Sequence, residues 1–212
     1  MVLKFPLYIC KKKMMKEQII KTAKLMFLKL GFKSVTMDDI ASEIGISKKT
    51  IYKYFSNKDI LIENTIELAF SEVQEIIIKI ENLNLNAIEE NFEMKRMFRE
   101  MFKGSDTSPL YQLKKHYLEI YEKVLTVQSE ILIVCFRKNI IKGIKEGLYR
   151  ENVVIDEYVK FYQILIFNIN ENTASGIEAE ELEVKALEYH IRAMATLAGI
   201  IELEKHLKNP II

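Results

Sequence analysis

The chain has 212 residues, 49% of them hydrophobic and 29% charged, a balance that suits a globular protein with its own core and excludes wholesale disorder. Only 7 glycines and 3 prolines punctuate it, too few turn residues for a sandwich or a barrel, so an all-α fold is expected. The net charge of +1 conceals a split: residues 1–60 carry 13 Lys+Arg against 5 Asp+Glu, and residues 61–212 carry 18 against 25. A basic head on an acidic body suits a chain that sets one end against a polyanion.

Cys10 and Cys135 are too few for a disulfide framework, and no metal-ligand spacing surrounds either. No metal and no cofactor is expected, and the reducing cytoplasm is the expected compartment. The apolar stretch 2–10 is interrupted by Lys4 and Pro6, and Lys11–Lys13 follow it, whereas a signal peptide carries its charge in front. Residues 1–13 read either as an N-terminal arm or as a misassigned extension ahead of a start at Met14 or Met15. Nothing later approaches the roughly 18 apolar residues of a membrane span, so no membrane association is expected.

In chain order, Met15, Ile19, Ala23, Met26 and Leu30 recur at helical spacing with lysines on the other faces, and Gly31 stands where a left-handed cap ends such a helix. Thr36 precedes Met37-Asp38-Asp39-Ile40, a hydroxyl cap with acids in the first turn, and Gly45 stops this second helix. Ser47 caps a third segment, 48–55, whose apolar anchors are Ile51 and Phe55. Ser56 and Asp59 form another capping-box pattern that opens a fourth, longer helix.

Two short helices joined by a glycine-containing turn, the second strongly basic, describe a helix-turn-helix. Ala41 is small where the helices cross, Gly45 supplies the turn dihedral and Ile51 plugs the second helix onto the first. Such a helix enters the major groove N-terminus first, which brings Lys48, Lys49 and Thr50 towards base edges and Ser47 towards phosphate. Each lysine can equally be a solvated surface charge, and Tyr54 can equally pack against the first helix.

These residues resemble the DNA-binding domain of TetR-type bacterial transcriptional regulators: Thr36-Met-Asp-Asp-Ile-Ala41, then Gly45-Ile-Ser-Lys-Lys-Thr-Ile-Tyr-Lys-Tyr-Phe55-Ser-Asn-Lys58-Asp-Ile-Leu61. The similarity covers residues 14–61. It implies that Thr36, Tyr52 and Lys58 touch phosphate, that Lys48, Lys49, Thr50 and Tyr54 approach bases, and that Lys53 completes the basic face. The family often has histidine where Tyr54 stands and glycine where Lys49 stands. The second departure puts a long side chain into the presumed groove, so an operator sequence does not transfer from relatives.

The periodicity beyond the head predicts helices over 56–82, 84–103, 110–125, 126–148, 156–170 and 178–208, about nine in the whole chain, and the resemblance implies that residues 62–212 are an effector-binding and dimerisation domain. Gly104 is the expected stop of the second of these. Gly143 and Gly147 read as a packing glycine and a helix C-cap. Glu202 and His206, one turn apart, read as a surface ion pair. No glycine-rich phosphate loop, nucleophile elbow or zinc-binding His-Glu pattern occurs, and an enzyme is not expected.

The resemblance implies an effector cavity in the body, and a small apolar or aromatic effector is expected there. His116, Tyr117, Tyr121 and Tyr162 are nominated as lining it because each joins an apolar body to a polar tip. The last two predicted helices are apolar on more than one face. Phe161, Leu165, Ile191, Met194 and Ile201 are therefore expected at a homodimer interface, which the resemblance also implies. The whole reads as a ligand-responsive homodimeric repressor that binds a near-palindromic double-stranded operator through residues 48–54. The alternative is a helical regulator that acts mainly through a protein partner, with DNA binding secondary.

Overall fold

The computed structural model describes residues 4–103 and 107–208, and of residues 4–11 the backbone alone. Every element among them is helical. The elements are α1 (Lys4–Leu30), α2 (Met37–Ile44), α3 (Lys48–Tyr52), α4 (Lys58–Glu81), α5 (Ala87–Met101), α6 (Pro109–His116), α7 (Leu118–Lys145), α8 (Ile155–Asn172), α9 (Gly176–Met194) and α10 (Leu197–Lys208). The helical run of α1 reaches back to Lys4. Gly104 lies outside the described residues, and α5 ends at Met101 with Phe102 as its cap.

The head is built as its capping residues dictate. Thr36 accepts a hydrogen bond from the Asp39 amide while the Asp39 carboxylate accepts from the Thr36 amide, a complete capping box on α2. Gly45 ends α2 at φ +76°, a conformation glycine adopts without strain. Asn57, and not Ser56, caps α4: its side chain accepts from the Ile60 amide at 2.9 Å. Both residue types are good caps.

Two cores hold the molecule. The first gathers Ile19, Ala23 and Phe27 of α1, Ile40 of α2, Ile51 and Phe55, and continues into Leu110, Leu113, Ile120 and Val124 of α6 and α7. The second joins α5, the C-terminal half of α7, α8, α9 and α10 around Ile88, Ile140, Tyr149, Leu187 and Leu203. Helix α4 starts in the first and runs beside α1, α5 and α7. Gln112 ties the first core across the head: its side-chain oxygen accepts from the Phe32 amide at 2.7 Å.

Helix α3 ends at Tyr52, short of the predicted 55, and two breaks in the body differ from the periodicity. The break foreseen near residue 125 falls instead at Tyr117, whose backbone leaves the helical region and whose hydroxyl donates to the Phe32 carbonyl. Thr126 does not cap a helix; its hydroxyl donates back to the Glu122 carbonyl and α7 continues through it. The single helix foreseen over 178–208 is broken at Ala195 and Thr196. There the Arg150 amide takes the Met194 carbonyl, the Thr196 amide takes the Leu148 carbonyl, and the Thr196 hydroxyl reaches the Gly147 carbonyl. Gly147, at φ +70°, makes the turn that reaches this break. Gly143 leaves room for Tyr149: an added Cβ would stand 2.1 Å from its ring.

Candidate functional site

Helix α3 is five residues long, with its cap at Ser47. Ser47 accepts from the Thr50 amide at 3.1 Å and shares a 2.8 Å hydroxyl contact with Thr50 Oγ1. Ile51 is fully buried and Phe55 nearly so, which pins the helix against α1 and α2. With Ile51 inward, Ser47, Lys48, Lys49, Tyr52 and Lys53 stay exposed and Thr50 half-exposed. Lys48 reaches across to Asp38 of α2, Nζ to Oδ2 2.8 Å, and this neighbour holds the ammonium pKa above its ordinary range.

The other nominated head residues are more committed. Thr36 is exposed, and its hydroxyl donates to the Asp39 carboxylate at 2.7 Å, which helps hold that carboxyl below its usual range. Tyr54 is half-buried and packs on the first core. Lys58 donates to the Lys33 carbonyl at 3.3 Å and lies over the rings of Phe27 and Tyr117, at the seam between head and body.

The body holds a cavity of about 700 Å³. It runs from Phe27 of α1 and Phe32 just beyond that helix, past Phe70 of α4 and Met94 of α5, to Phe136 of α7 and Tyr162 of α8. It thus touches both the head helix and the body helices. Of the four residues nominated for an effector pocket, only Tyr162 lines it. His116 is exposed at the end of α6. Tyr117 turns to the head, as its bond to Phe32 shows, and Tyr121 donates its hydroxyl to Glu171. Those three side chains thus lie at the seam or the surface of α6 and α7.

Sequence reasoning missed the polar wall of this cavity. Lys95 of α5 is bonded to Glu183 of α9, and its side chain is only 15% exposed. Asn170 of α8 donates to the other Glu183 oxygen at 2.5 Å. Burial brings the Lys95 pKa down to about 8. The signal was available: Lys95 follows Ile88 by seven residues and Phe92 by three, so it stands on the buried stripe of α5. Behind the wall, His190 stacks on Tyr162 with ring centres 4.4 Å apart, and its buried Nε2 has no hydrogen-bond partner among the described residues.

The residues nominated for a dimer interface divide. Phe161 and Ile201 are each 57% exposed, and Ile164 and Leu197 beside them are exposed too. Leu165 is half-buried on the second core. Ile191 and Met194 are fully buried inside the chain. Both lie on α9, which packs on α8, α5 and α10, so their surface is spent within the chain. A wide apolar stripe on α9 arises here from neighbours on several sides within one chain.

Glu202 and His206 do approach, Oε1 to Nε2 3.5 Å, and Glu89 lies beside them, the one group of metal-ligand types found among the described residues. Both carboxylates have protein donors already: Glu89 closes the cap of α5 and Glu202 accepts from Lys205. No described helix is long and apolar enough to cross a membrane.

Comparison with known proteins bears on this arrangement. The family model for bacterial regulatory proteins of the tetR family matches residues 19–65, the segment that contains α2, α3 and the start of α4. An uncharacterized HTH-type transcriptional regulator of Bacillus subtilis, YvaF, is 36% identical over 105 residues, 48% of this chain and 52% of its own length. The biofilm operon negative transcriptional regulator IcaR of Staphylococcus aureus is 24% identical over 116 residues, 55% of this chain and 56% of its own. The chain therefore spans about half the length of the curated relatives it matches. Among solved structures, a transcriptional regulator from Cytophaga hutchinsonii superposes with a TM-score of 0.68 at 20% identity, over 85% of this chain and 98% of that one. Reduced NemR of E. coli gives 0.67 at 14% identity, over 86% and 98%. Residues 19–65 thus match the model of the tetR family of bacterial regulatory proteins, and the solved structures share the all-helical fold of the chain.

Proposed function

We propose that the protein is a DNA-binding transcriptional regulator, a ligand-responsive homodimeric repressor of a near-palindromic operator that acts in the cytoplasm and catalyses no reaction. The observation that carries this reading is the exposed face of α3. Ser47, Lys48, Lys49, Tyr52 and Lys53 point to solvent with Thr50 beside them, while Ile51 and Phe55 lock the helix in place. Lysine and hydroxyl side chains at a helix N-terminus neutralise phosphate, and Lys48 and Lys49 can donate to guanine edges. Thr36 and Lys58 flank that face for further phosphate contacts, with Tyr54 packed behind it.

Two such helices fit successive major grooves when a dimer holds them about 34–36 Å apart. Phe161, Ile164, Leu197 and Ile201 form the exposed apolar surface on α8 and α10 that would close the pair. The cavity supports the ligand response, because it is walled by the head helix α1 as well as by the body. A ligand that fits only one spacing of the heads shifts the population towards it, and effective release of DNA needs several kcal/mol of such preference. IcaR is a negative transcriptional regulator, and repression is accordingly the direction proposed here.

The test is a footprint of the full chain on DNA flanking its own gene, repeated with Lys48→Ala/Lys49→Ala. A protected, roughly palindromic site that the double variant loses is the expected result. With roughly 6–10 phosphate contacts per dimer, affinity should fall about 10³–10⁵-fold between 50 and 200 mM salt. A weak uniform coating that the double variant retains would refute sequence-specific reading through α3.

A further inference from the structure

The geometry points to an effector of one chemical class: an uncharged carbonyl compound, its apolar or aromatic body in the cavity and its carbonyl oxygen on the Tyr162 hydroxyl. This rests on the reading above that the cavity is the effector site, and adds what the cavity selects.

Charge at the lining is already matched. Lys24 is paired with Glu72, Lys95 with Glu183 and Arg99 with Glu180, while the more exposed Arg96 and Lys103 hold the acids three residues before them. The lining carboxylates, Glu100, Glu180 and Glu183, are all spent on these pairs. Aromatic rings run along the rest of the wall, among them Phe27, Phe70 and Phe136. An ionic head of either sign brought into such a void gives up its water and finds no free counter-charge, whereas an uncharged molecule gives up far less. At about 700 Å³ the void has room for a small organic body.

The buried polar side chains of the lining sharpen the choice. Thr65, Asn91 and Ser108 each donate a hydrogen bond within the chain. Tyr162 does not: it is 5% exposed and lines the void, yet its hydroxyl bonds to none of the described residues. Its ring is held between Phe136 and His190, with centres 4.5 Å and 4.4 Å away, so the hydroxyl is fixed in place. The sealed, unpartnered atom of this stack is His190 Nε2, whereas the Tyr162 oxygen keeps an open side. Burial pushes the Tyr162 pKa up, so the hydroxyl keeps its proton and stands as a donor. A carbonyl oxygen accepts that hydrogen bond and carries no donor of its own. An alcohol would bring a further O–H that needs an acceptor, and a plain hydrocarbon would leave the Tyr162 hydroxyl unpaired.

The test puts four heads on one naphthalene body: methyl naphthyl ketone, isopropylnaphthalene, naphthoate and naphthyltrimethylammonium, substituted at the same carbon and each dialysed to equilibrium against the full chain without DNA. The ketone should bind at least about tenfold tighter than either ion, a differential of about 1.4 kcal/mol. Tyr162→Phe should weaken the ketone about three- to tenfold, the weight of one neutral hydrogen bond, and leave the isopropyl compound unchanged. Because the hydroxyl bonds nothing in the chain, this variant should also melt no lower than the parent. Binding of either ion as tight as that of the ketone would overturn the proposal, as would no binding of any probe. So would an equal response of ketone and isopropyl compound to Tyr162→Phe, or a variant that melts well below the parent. A ketone preference that depends on Tyr162, with no change in the operator footprint, removes the effector role from the cavity and leaves this assignment standing. Release of the operator by all four probes alike keeps the effector role and overturns the assignment.

Discussion

His190 offers a direct measure of how dry the body core is. It is 4% exposed, stacked on Tyr162, edge-on to Phe136 with ring centres 5.8 Å apart, and its Nε2 lacks a partner among the described residues. Burial pulls its pKa from 6.5 to about 4. In the unfolded chain the same imidazole takes a proton near 6.5, so below that pH the unfolded state binds more protons and stability falls as pH falls. The loss runs between about 6.5 and about 4 and levels off beneath. At about 1.4 kcal/mol for each pH unit, the full loss is about 3 kcal/mol. His190→Leu removes the titration at nearly constant volume. At pH 7 the variant gives up a ring contact of about 0.5–1.5 kcal/mol and sheds a buried unpartnered nitrogen that costs about 1–3 kcal/mol, so it should equal or exceed the parent. Urea unfolding followed by circular dichroism at pH 7, 6, 5 and 4 would compare the two. Carboxylate titrations are common to both proteins and cancel in the difference. The gap in favour of His190→Leu should widen by about 3 kcal/mol from pH 7 to pH 4. Parallel stability curves for the two proteins would refute the argument that His190 is held neutral by burial.

Three further outcomes follow from other parts of the molecule. Asp38→Asn removes the negative charge that pairs with Lys48, and should raise operator affinity about two- to five-fold at low salt in a mobility-shift titration, since an exposed pair holds its lysine only weakly. Gly143→Ala would push a methyl group into the Tyr149 ring and should cost about 1–3 kcal/mol in thermal or urea unfolding, with the exposed face of α3 unaltered. Asn57→Ala should cost about 1 kcal/mol as the loss of the cap on α4, whereas Ser56→Ala should stay within about 0.5 kcal/mol, which unfolding measurements on both would show.

The head was legible from residues alone because its signals are local. Caps, glycine stops and anchors four residues apart act within one or two turns, so Thr36, Gly45, Ser47 and Ile51 define α2, the turn and α3 without reference to the rest of the chain. The all-α class followed from the same scarcity of turn residues. Periodicity also announced the body helices, but a stripe says only that a side chain faces something. Whether that something is the chain's own core, a partner or a void depends on how helices distant in sequence are packed. Ile191 and Met194 share the apolar character of Phe161 and Ile201, yet the first two are enclosed by neighbouring helices and the last two are left bare. The breaks at Tyr117 and Ala195 are likewise tertiary: a hydroxyl bonded to Phe32 across the seam and a carbonyl surrendered to Arg150 outweigh the helical preference of the local sequence. The polar wall of Lys95, Glu183 and Asn170 is drawn from three helices, and only their packing makes one site of them. Local hydrogen bonding is written residue by residue, whereas burial is a property of the assembled chain.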